Sequence, residues 1–353
     1  VIILGIETSC DETAAAVVED NLVRSDVIHT QIALHAEFGG VVPELASRDH
    51  LRNIRPVVDQ ALADAKVSLD DIDAVAVTCR PGLTGALLIG TQLANALCWA
   101  SEKPLIGVDH LIGHLLAVFL DFPGKDCPPP PQFPFIGLVA SGGHTAIYRV
   151  GGPTHESIVE LGATRDDAAG EAYDKIAKLL GLGYPGGPII DQLAQEGDPY
   201  KIELSTPMKN RKSLEFSFSG LKTQVARWVQ KNGLPKNDDT LRNLCAAFQR
   251  IVVDTLIEKS IAAAKMEKIT TIALAGGVSA NSELRGRGRE LCKNAEIDLI
   301  VPHFSACTDN AAMIAYAGSF QALRGENNRD GLEVSPRSIL PRLTVKGGSD
   351  RRR

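Results

Sequence analysis

Hydrophobic positions along the chain fall into two rhythms. Short, mostly apolar runs over residues 1–6, 71–78, 105–108, 133–139 and 269–275 predict buried strands. Longer stretches with apolar residues at helical spacing predict helices over 40–65, 82–100, 111–120, 166–180, 241–265 and 310–323. Strands and helices alternate, which points to an α/β chain with a largely parallel sheet in each of two lobes.

The pattern also repeats. Ile3 to Val18 can be set against Phe135 to Val150, so that Gly5 falls on Gly137, Ser9 on Ser141, Thr13 on Thr145, Ala14 on Ala146 and Val18 on Val150. Each copy reads as a strand, a polar turn and a second strand, a β-hairpin with a turn rich in hydrogen-bonding groups. Between the copies stands Cys127-Pro-Pro-Pro-Pro-Gln132, which no helix interior or central strand accommodates and which makes a stiff connection. The expected lobes are 1–126, completed by about 305–340, and 127–304.

Composition narrows the reading. The chain has 353 residues, enough for two cores, and its 44% hydrophobic content is that of an ordinary globular protein. The longest apolar stretch, 83–99, is broken by Thr84, Thr91, Gln92 and Asn95, so no membrane span is expected. The chain opens on a strand without the basic flank of a signal peptide, and its 7 scattered cysteines form no CxxC pair; both suit a reduced, cytoplasmic protein. A net charge of −6 argues against a nucleic-acid binder acting alone. Basic residues cluster only locally, at Lys209, Arg211 and Lys212, at Arg285, Arg287 and Arg289, and at Arg351 to Arg353. A nucleic-acid substrate therefore needs a local patch or a helper protein.

Four motifs carry chemistry. The paired turns Ser9–Thr13 and Ser141–Thr145 offer small residues whose amides can approach a phosphate, and two of them across a cleft would clamp a nucleotide. No GxxxxGK[ST] motif is present, which disfavours a Walker-type NTPase. Ala275-Gly-Gly-Val-Ser-Ala-Asn281 follows a strand; it is either a flat ligand platform or a plain turn with Ser279 or Asn281 capping a helix. His110 and His114, at i and i+4, share one helix face and can hold one metal ion, with Asp309 the best acidic candidate for a third ligand. Leu111 follows His110, so the HExxH general base of a zinc peptidase is absent. Finally, Asp167, Glu171 and Asp174 fall on nearly one helix face without matching bases, and Tyr184-Pro-Gly-Gly makes a rigid turn beside them.

Taken together, Gly5-Ile-Glu-Thr-Ser-Cys-Asp-Glu-Thr13, Gly40-Val-Val-Pro-Glu-Leu-Ala-Ser-Arg48, the His110/His114 pair, Ser141-Gly-Gly-His-Thr145, Asp167-Ala-Ala-Gly-Glu-Ala-Tyr-Asp174, Phe216-Ser-Phe-Ser-Gly-Leu-Lys-Thr223, Gly276-Gly-Val-Ser-Ala-Asn281 and Cys307-Thr-Asp-Asn310 resemble the TsaD/Gcp family. The match is colinear from Ile2 to about Pro341. The resemblance implies a two-lobed actin-like, Hsp70-like, sugar-kinase-like (ASKHA) fold with duplicated lobes. It implies transfer of threonylcarbamoyl from threonylcarbamoyl-AMP to N6 of the adenosine beside the anticodon, in tRNAs reading codons that start with adenine. It carries one divalent metal, iron or zinc, onto His110, His114 and Asp309, and adenylate or ATP contacts onto Val139, Ala140, Ser141, Gly142, Gly143, Asp174, Gly187 and Asn281.

Asp11 or Glu12 is then the candidate acceptor for the N6 proton. The implied partners are tRNA, a TsaB-like paralogue and a TsaE-like ATPase, with a homodimer as the other assembly. The helix over 82–100, with Gly85, Ala86, Gly90, Ala94 and Ala96, is the expected docking surface. Three features depart from the family pattern: Arg80, where members usually carry Gly; Ile112, where Glu is frequent; and the long proline run. An actin-like ATPase or small-molecule kinase and a non-catalytic nucleotide-binding scaffold are the rival readings.

Overall fold

A computed structural model describes residues 1–208, 213–235 and 237–343. The basic clusters at 209–212 and 351–353 lie outside the described residues. In the first lobe, β1 (Ile2–Glu7), β2 (Glu12–Glu19) and β3 (Leu22–Thr30) lead into helices α1 (Ile32–Ala36) and α2 (Pro43–Ala65). Then come β4 (Ala74–Arg80), α3 (Thr84–Ser101), β5 (Leu105–Asp109) and α4 (His110–Leu116). The second lobe holds β6 (Phe135–Ala140), β7 (Thr145–Val150), β8 (Ile158–Ala163), α5 (Ala169–Leu180), α6 (Gly186–Ala194), α7 (Ser219–Asn232), α8 (Asp238–Glu267), β9 (Thr271–Ala275), α9 (Ser282–Asn294) and β10 (Asp298–Ile300). The last helix, α10 (Ala311–Leu323), packs against the first sheet.

The two sheets have one topology, β3-β2-β1-β4-β5 and β8-β7-β6-β9-β10. The repeat seen in the sequence is a repeat of register as well. Gly5 faces Ala16 and Ile3 faces Val18, while Gly137 faces Tyr148 and Phe135 faces Val150. Each sheet is mixed, not largely parallel as expected: its first three strands are antiparallel, and only the pairings with β4 and β5, or with β9 and β10, are parallel. The apolar runs revealed the central strands; β3 and β8, with their mixed polar faces, escaped the reading.

Between the sheets lie α4 and α10, joined in one apolar core with β1, β2, β6 and β7. The matched glycines make room for them. A Cβ on Gly5 would sit 2.2 Å from the Ala311 carbonyl oxygen of α10, and one on Gly137 would sit 2.3 Å from Leu115 Cδ2 of α4. Helix α4 and helix α10 meet where a Cβ on Gly113 would be 2.9 Å from Ile314 Cδ1. Small residues at the crossing are what let two helices share this narrow space.

Several expectations need correction. On α3, Ala86, Gly90 and Ala94 face the lobe's own interior, with Gly90 against the Thr8 side chain, so the small-residue face is core. The exposed face carries Leu88, Gln92, Ala96 and Trp99. Asp167 precedes α5, and Lys175 pairs with it at 2.6 Å and with Glu171 at 3.0 Å, so the acidic stripe is matched by a base. Arg285 and Arg287 are engaged locally, by Pro302 O and by Asp254, and are no open basic patch. Arg80 ends β4 without positive φ and donates to Glu333 O at 3.2 Å.

Gly5→Ala should destabilise the protein by about 1–3 kcal/mol, because the obstacle is backbone and cannot step aside. Gly286→Ala, in the exposed interior of α9 with nothing within 4 Å, should stabilise it by about 0.5–1 kcal/mol. Thermal melts of the two variants check the pair; equal shifts of one sign would contradict the packing.

Candidate active site

Helix α4 starts at the end of β5. Asp109 caps it, accepting from Leu111 N at 3.0 Å, and this leaves His110 and His114 on one face with ring centroids 4.6 Å apart. Asn310 caps α10, accepting from Met313 N at 2.8 Å, which places Asp309 just before that helix. Because α4 and α10 pack together, Asp309 Oδ1 comes within 3.0 Å of His114 Nε2 and 3.5 Å of His110 Nε2. The three donor atoms lie within 4.8 Å of one another. Two imidazoles and one carboxylate are a donor set suited to iron or zinc.

Behind His110 is a support that the sequence did not reveal. Its Nδ1 lies 2.9 Å from Glu7 Oε2, which also accepts from Thr78 Oγ1 at 2.6 Å. Glu7 is fully buried, and it fixes the imidazole so that Nε2 faces Asp309. This carboxylate comes from β1, not from position 112, where buried Ile112 packs into the interlobe core. Burial disfavours charge on His110, yet the Asp309 and Glu7 carboxylates outweigh it and hold its imidazole well above the usual range. Burial likewise opposes charge on Asp309, and the two histidines overcome it and draw its carboxyl well down.

His110 and Asp309 open onto a cavity of about 1120 Å³ between the lobes. Both polar turns line it: Ser9, Cys10, Asp11 and Glu12 on one side, Ser141, Gly142, Gly143 and His144 on the other. The second turn is closed by Ser141 N donating to His144 O at 2.8 Å and by Ser141 Oγ accepting from His144 N at 3.1 Å. Among the described residues, the Gly142 and Gly143 amides donate to no protein group. A Cβ on either would meet nothing within 4 Å, so the turn presents bare backbone to the cavity. Gly276, at φ 84°, packs its own backbone under this turn, where a Cβ would be 2.5 Å from Ala140 O.

Asp174, Gly187 and Asn281 line the same cavity, with Asp174 Oδ1 accepting from Gly186 N at 2.7 Å. Val139 and Ala140 do not line it; their side chains are buried at the end of β6. Nor does His114, which lies behind His110. The Asn281 side chain caps α9 through Leu284 N and donates to Gln249 Oε1, so its amide is already in use. Two cavity residues were missed by the sequence reading. Asp191, held by Ser282 N at 2.9 Å and Gln249 Nε2 at 3.0 Å, presents a carboxylate on the Asn281 side. His144 is pushed down to about 4 by burial and by the neighbouring His110 and His114, which keeps a neutral imidazole beside the donors. Glu12 is pushed up to about 10, by burial first and then by the Asp309 and Asp11 carboxylates. A carboxyl so placed keeps its proton at neutral pH and accepts one only when positive charge offsets Asp309.

Comparison with known proteins adds a family. The family model described as TsaD, tRNA N6-adenosine threonylcarbamoyltransferase, matches residues 22–316. A tRNA N6-adenosine threonylcarbamoyltransferase of Sorangium cellulosum (strain So ce56) is 57% identical over 357 residues, covering 99% of each chain. Another, of Geobacter metallireducens, is 50% identical over 349 residues and covers 98% of each. Among solved structures, full-length HypF in the phosphate- and nucleotide-bound form superposes with a TM-score of 0.58 at 14% identity, over 93% of this chain and 47% of that one. That likeness is one of fold, and the fold is the two-lobed actin-like one.

Glu7→Gln keeps the shape of the support and removes its charge. Affinity for iron or zinc should fall by about 10–100-fold. Metal titration of the folded apo-protein measures this; wild-type affinity would mean that Glu7 does not hold His110 for ligation.

Proposed function

The chain belongs to the TsaD family of tRNA N6-adenosine threonylcarbamoyltransferases, and from that premise we propose how its cavity performs the transfer. The protein is an enzyme that moves a threonylcarbamoyl group onto N6 of an adenosine in tRNA. The donor is threonylcarbamoyl-AMP, and the acceptor is the adenosine beside the anticodon in tRNAs reading codons that begin with adenine. The observation that carries the reading is the meeting, in one interlobe cavity, of a bare-amide turn at Gly142–Gly143 with His110 and Asp309, which cluster with the buried His114.

In this reading the donor's phosphate lies on the Gly142 and Gly143 amides. Its adenosine lies along the wall of Asp174, Gly187 and Asn281, where the Asp191 carboxylate suits a ribose hydroxyl. The N6 amine is a weak nucleophile, since its lone pair is delocalised into the ring, so positioning and charge stabilisation supply most of the catalysis. As the N6–carbon bond forms, the carbon–oxygen bond to phosphate breaks and AMP leaves with the electron pair. The N6 proton passes to Glu12 or Asp11 in the first turn. His110, His114 and Asp309 would hold a divalent ion, iron being our choice over zinc, which supplies Lewis acidity for the threonyl end of the donor. A kinase reading is disfavoured by the same donor set, because magnesium takes oxygen ligands.

We take the lobes as 1–126 with about 305–340, and 127–304. A cytoplasmic location follows from the tRNA substrate; among the described residues, no helix is long and apolar enough to cross a membrane. A TsaB-like paralogue is proposed to dock on the exposed face of α3, where Leu88 is 41% and Trp99 65% exposed, with a TsaE-like ATPase resetting the complex. A homodimer through that face is the competing assembly.

Two experiments test this. The protein, metal-loaded and supplied with tRNA and the adenylate, should yield the modified nucleoside by mass spectrometry, and Gly142→Val should weaken adenylate binding by at least about tenfold, roughly 1.4 kcal/mol. Unmodified tRNA, or full affinity in a folded Gly142→Val variant, would contradict the reading. For the partner, Leu88→Glu should leave the melting temperature unchanged yet lower tRNA modification by at least about tenfold in the presence of the helpers. A full rate would remove α3 as the docking face.

A further inference from the structure

The first lobe buries a chain of polar side chains that the proposed reaction leaves without a role. Thr13, His35 and His50 are 0% exposed and Gln31 is 2% exposed. Their hydrogen bonds assign themselves. The Cys10 carbonyl can only accept, so His50 Nε2 carries the hydrogen and donates to it at 2.9 Å. His50 Nδ1 is then an acceptor, taking the Thr13 hydroxyl at 2.8 Å, with Gln31 Nε2 at 3.3 Å. Gln31 Oε1 accepts from His35 Nε2 at 3.0 Å, and His35 Nδ1 accepts from the Val42 amide at 3.3 Å. The Gln31 amide donates to the Asp11 carbonyl at 3.0 Å.

Both ends of this chain reach the cavity. One end is the turn of Cys10, Asp11 and Glu12, and the other is the rim of Gly39, Gly40 and Val41. The duplication supplies a comparison within the molecule. Thr145, the counterpart of Thr13, uses its hydroxyl to accept from Ala169 N at 2.8 Å, and so ties the second hairpin directly to the start of α5. In the first lobe the same position reaches α2 through an imidazole. That imidazole also takes the carbonyl of the residue beside Asp11, a hold that a threonine–amide bond alone lacks.

We propose that His50 is a positioning residue. It holds the Cys10–Glu12 turn at its place in the cavity and, through Gln31 and His35, keeps that turn in register with the Gly39–Val41 rim. The proposal rests on the cavity being the transfer site. Two hydrogen bonds to one rigid ring fix both the carbonyl of Cys10 and the side chain of Thr13, so the carboxyl groups of Asp11 and Glu12 inherit their placement from it. None of the His110, His114 and Asp309 donors touches the chain of bonds, so metal loading should not depend on it.

The test compares His50→Ala with His50→Gln, whose side-chain amide can still reach the Cys10 carbonyl. His50→Ala should keep full metal content and an adenylate KM within about threefold of wild type, while kcat falls by at least about tenfold. His50→Gln should recover most of that loss. A merely structural histidine would lower the melting temperature and leave kcat per folded, metal-loaded molecule unchanged; that result overturns the proposal, as does a His50→Gln variant no better than His50→Ala. Should His50→Ala not fold, Thr13→Val removes only the hydroxyl at Nδ1. A fall in kcat of about threefold or more then supports the proposal, and an unchanged kcat overturns it. Gly142→Val run alongside separates the two readings. If it binds adenylate normally, the cavity assignment has failed; if it loses affinity while the His50 variants keep wild-type kcat, only the positioning role has failed.

Discussion

The contact between α4 and α10 in the space between the two sheets is the constraint on which the rest depends. His110 and His114 belong to one helix and Asp309 to the entry of the other, and the sequence separates them by most of the chain. Nothing local brings them together. What does is close packing: α10 lies on β1 because Gly5 has no side chain, and α4 lies on α10 at Gly113 and on β6 at Gly137. Each of these glycines admits a helix where a methyl group would collide. Packed interiors transmit such displacements instead of absorbing them, so the spacing of the three donors is set by contacts well removed from the donors themselves.

The electrostatics of the site follow from that closeness. Glu7 and Asp309 lie against the imidazoles in a buried space with Glu12 nearby, and the three do not answer alike. Burial opposes charge on Glu7 and Asp309, yet both are drawn down because His110 lies against them, whereas Glu12 is pushed up to about 10 by burial first and then by the Asp309 and Asp11 carboxylates. Carboxyl groups with pKa values forced apart within one cavity are a recurrent sign of acid–base chemistry. On the proposed transfer, proton acceptance at Glu12 would require positive charge at the donors, because only when Asp309 is offset can this carboxyl ionise.

Much of this was legible in the sequence, for identifiable reasons. The duplicated hairpin could be read because its signal is doubled, and both register and topology follow it. The i,i+4 histidine pair could be read because helix geometry leaves the two rings few alternatives. What could not be read were relations carried by a single residue in an ordinary context. Glu7 sits in a strand where a carboxylate looks like any other polar alternation, and its partner His110 lies in a different element. Asp191 falls on an amphipathic helix as one more polar position. The small residues of α3 were legible as a close-packing face but not as to which neighbour they pack against, and the neighbour proved to be Thr8 of the same lobe. Asp167, Glu171 and Asp174 looked unmatched because Lys175 was not weighed against them.

The duplication also lets one scaffold present two chemically different turns to one cavity. In the second lobe the turn is closed on itself by Ser141 and His144, with Gly276 packed beneath it, and what it offers is backbone amides. In the first lobe the matching turn carries Asp11 and Glu12, and it is held from behind by side chains, Glu7 on one flank and His50 on the other. Amides suit a group that must be bound and released as an anion; carboxylates suit a proton that must be taken up. A bare turn can be made rigid by its own backbone, but a turn that presents titratable side chains needs neighbours that fix it without pairing with those side chains. Neutral His50 and the buried Glu7–His110 pair are neighbours of that kind. The asymmetry between two copies of one hairpin is therefore the difference between a turn that offers bare amides and a turn that offers carboxyl groups, and on the proposed transfer the first would bind and the second would react.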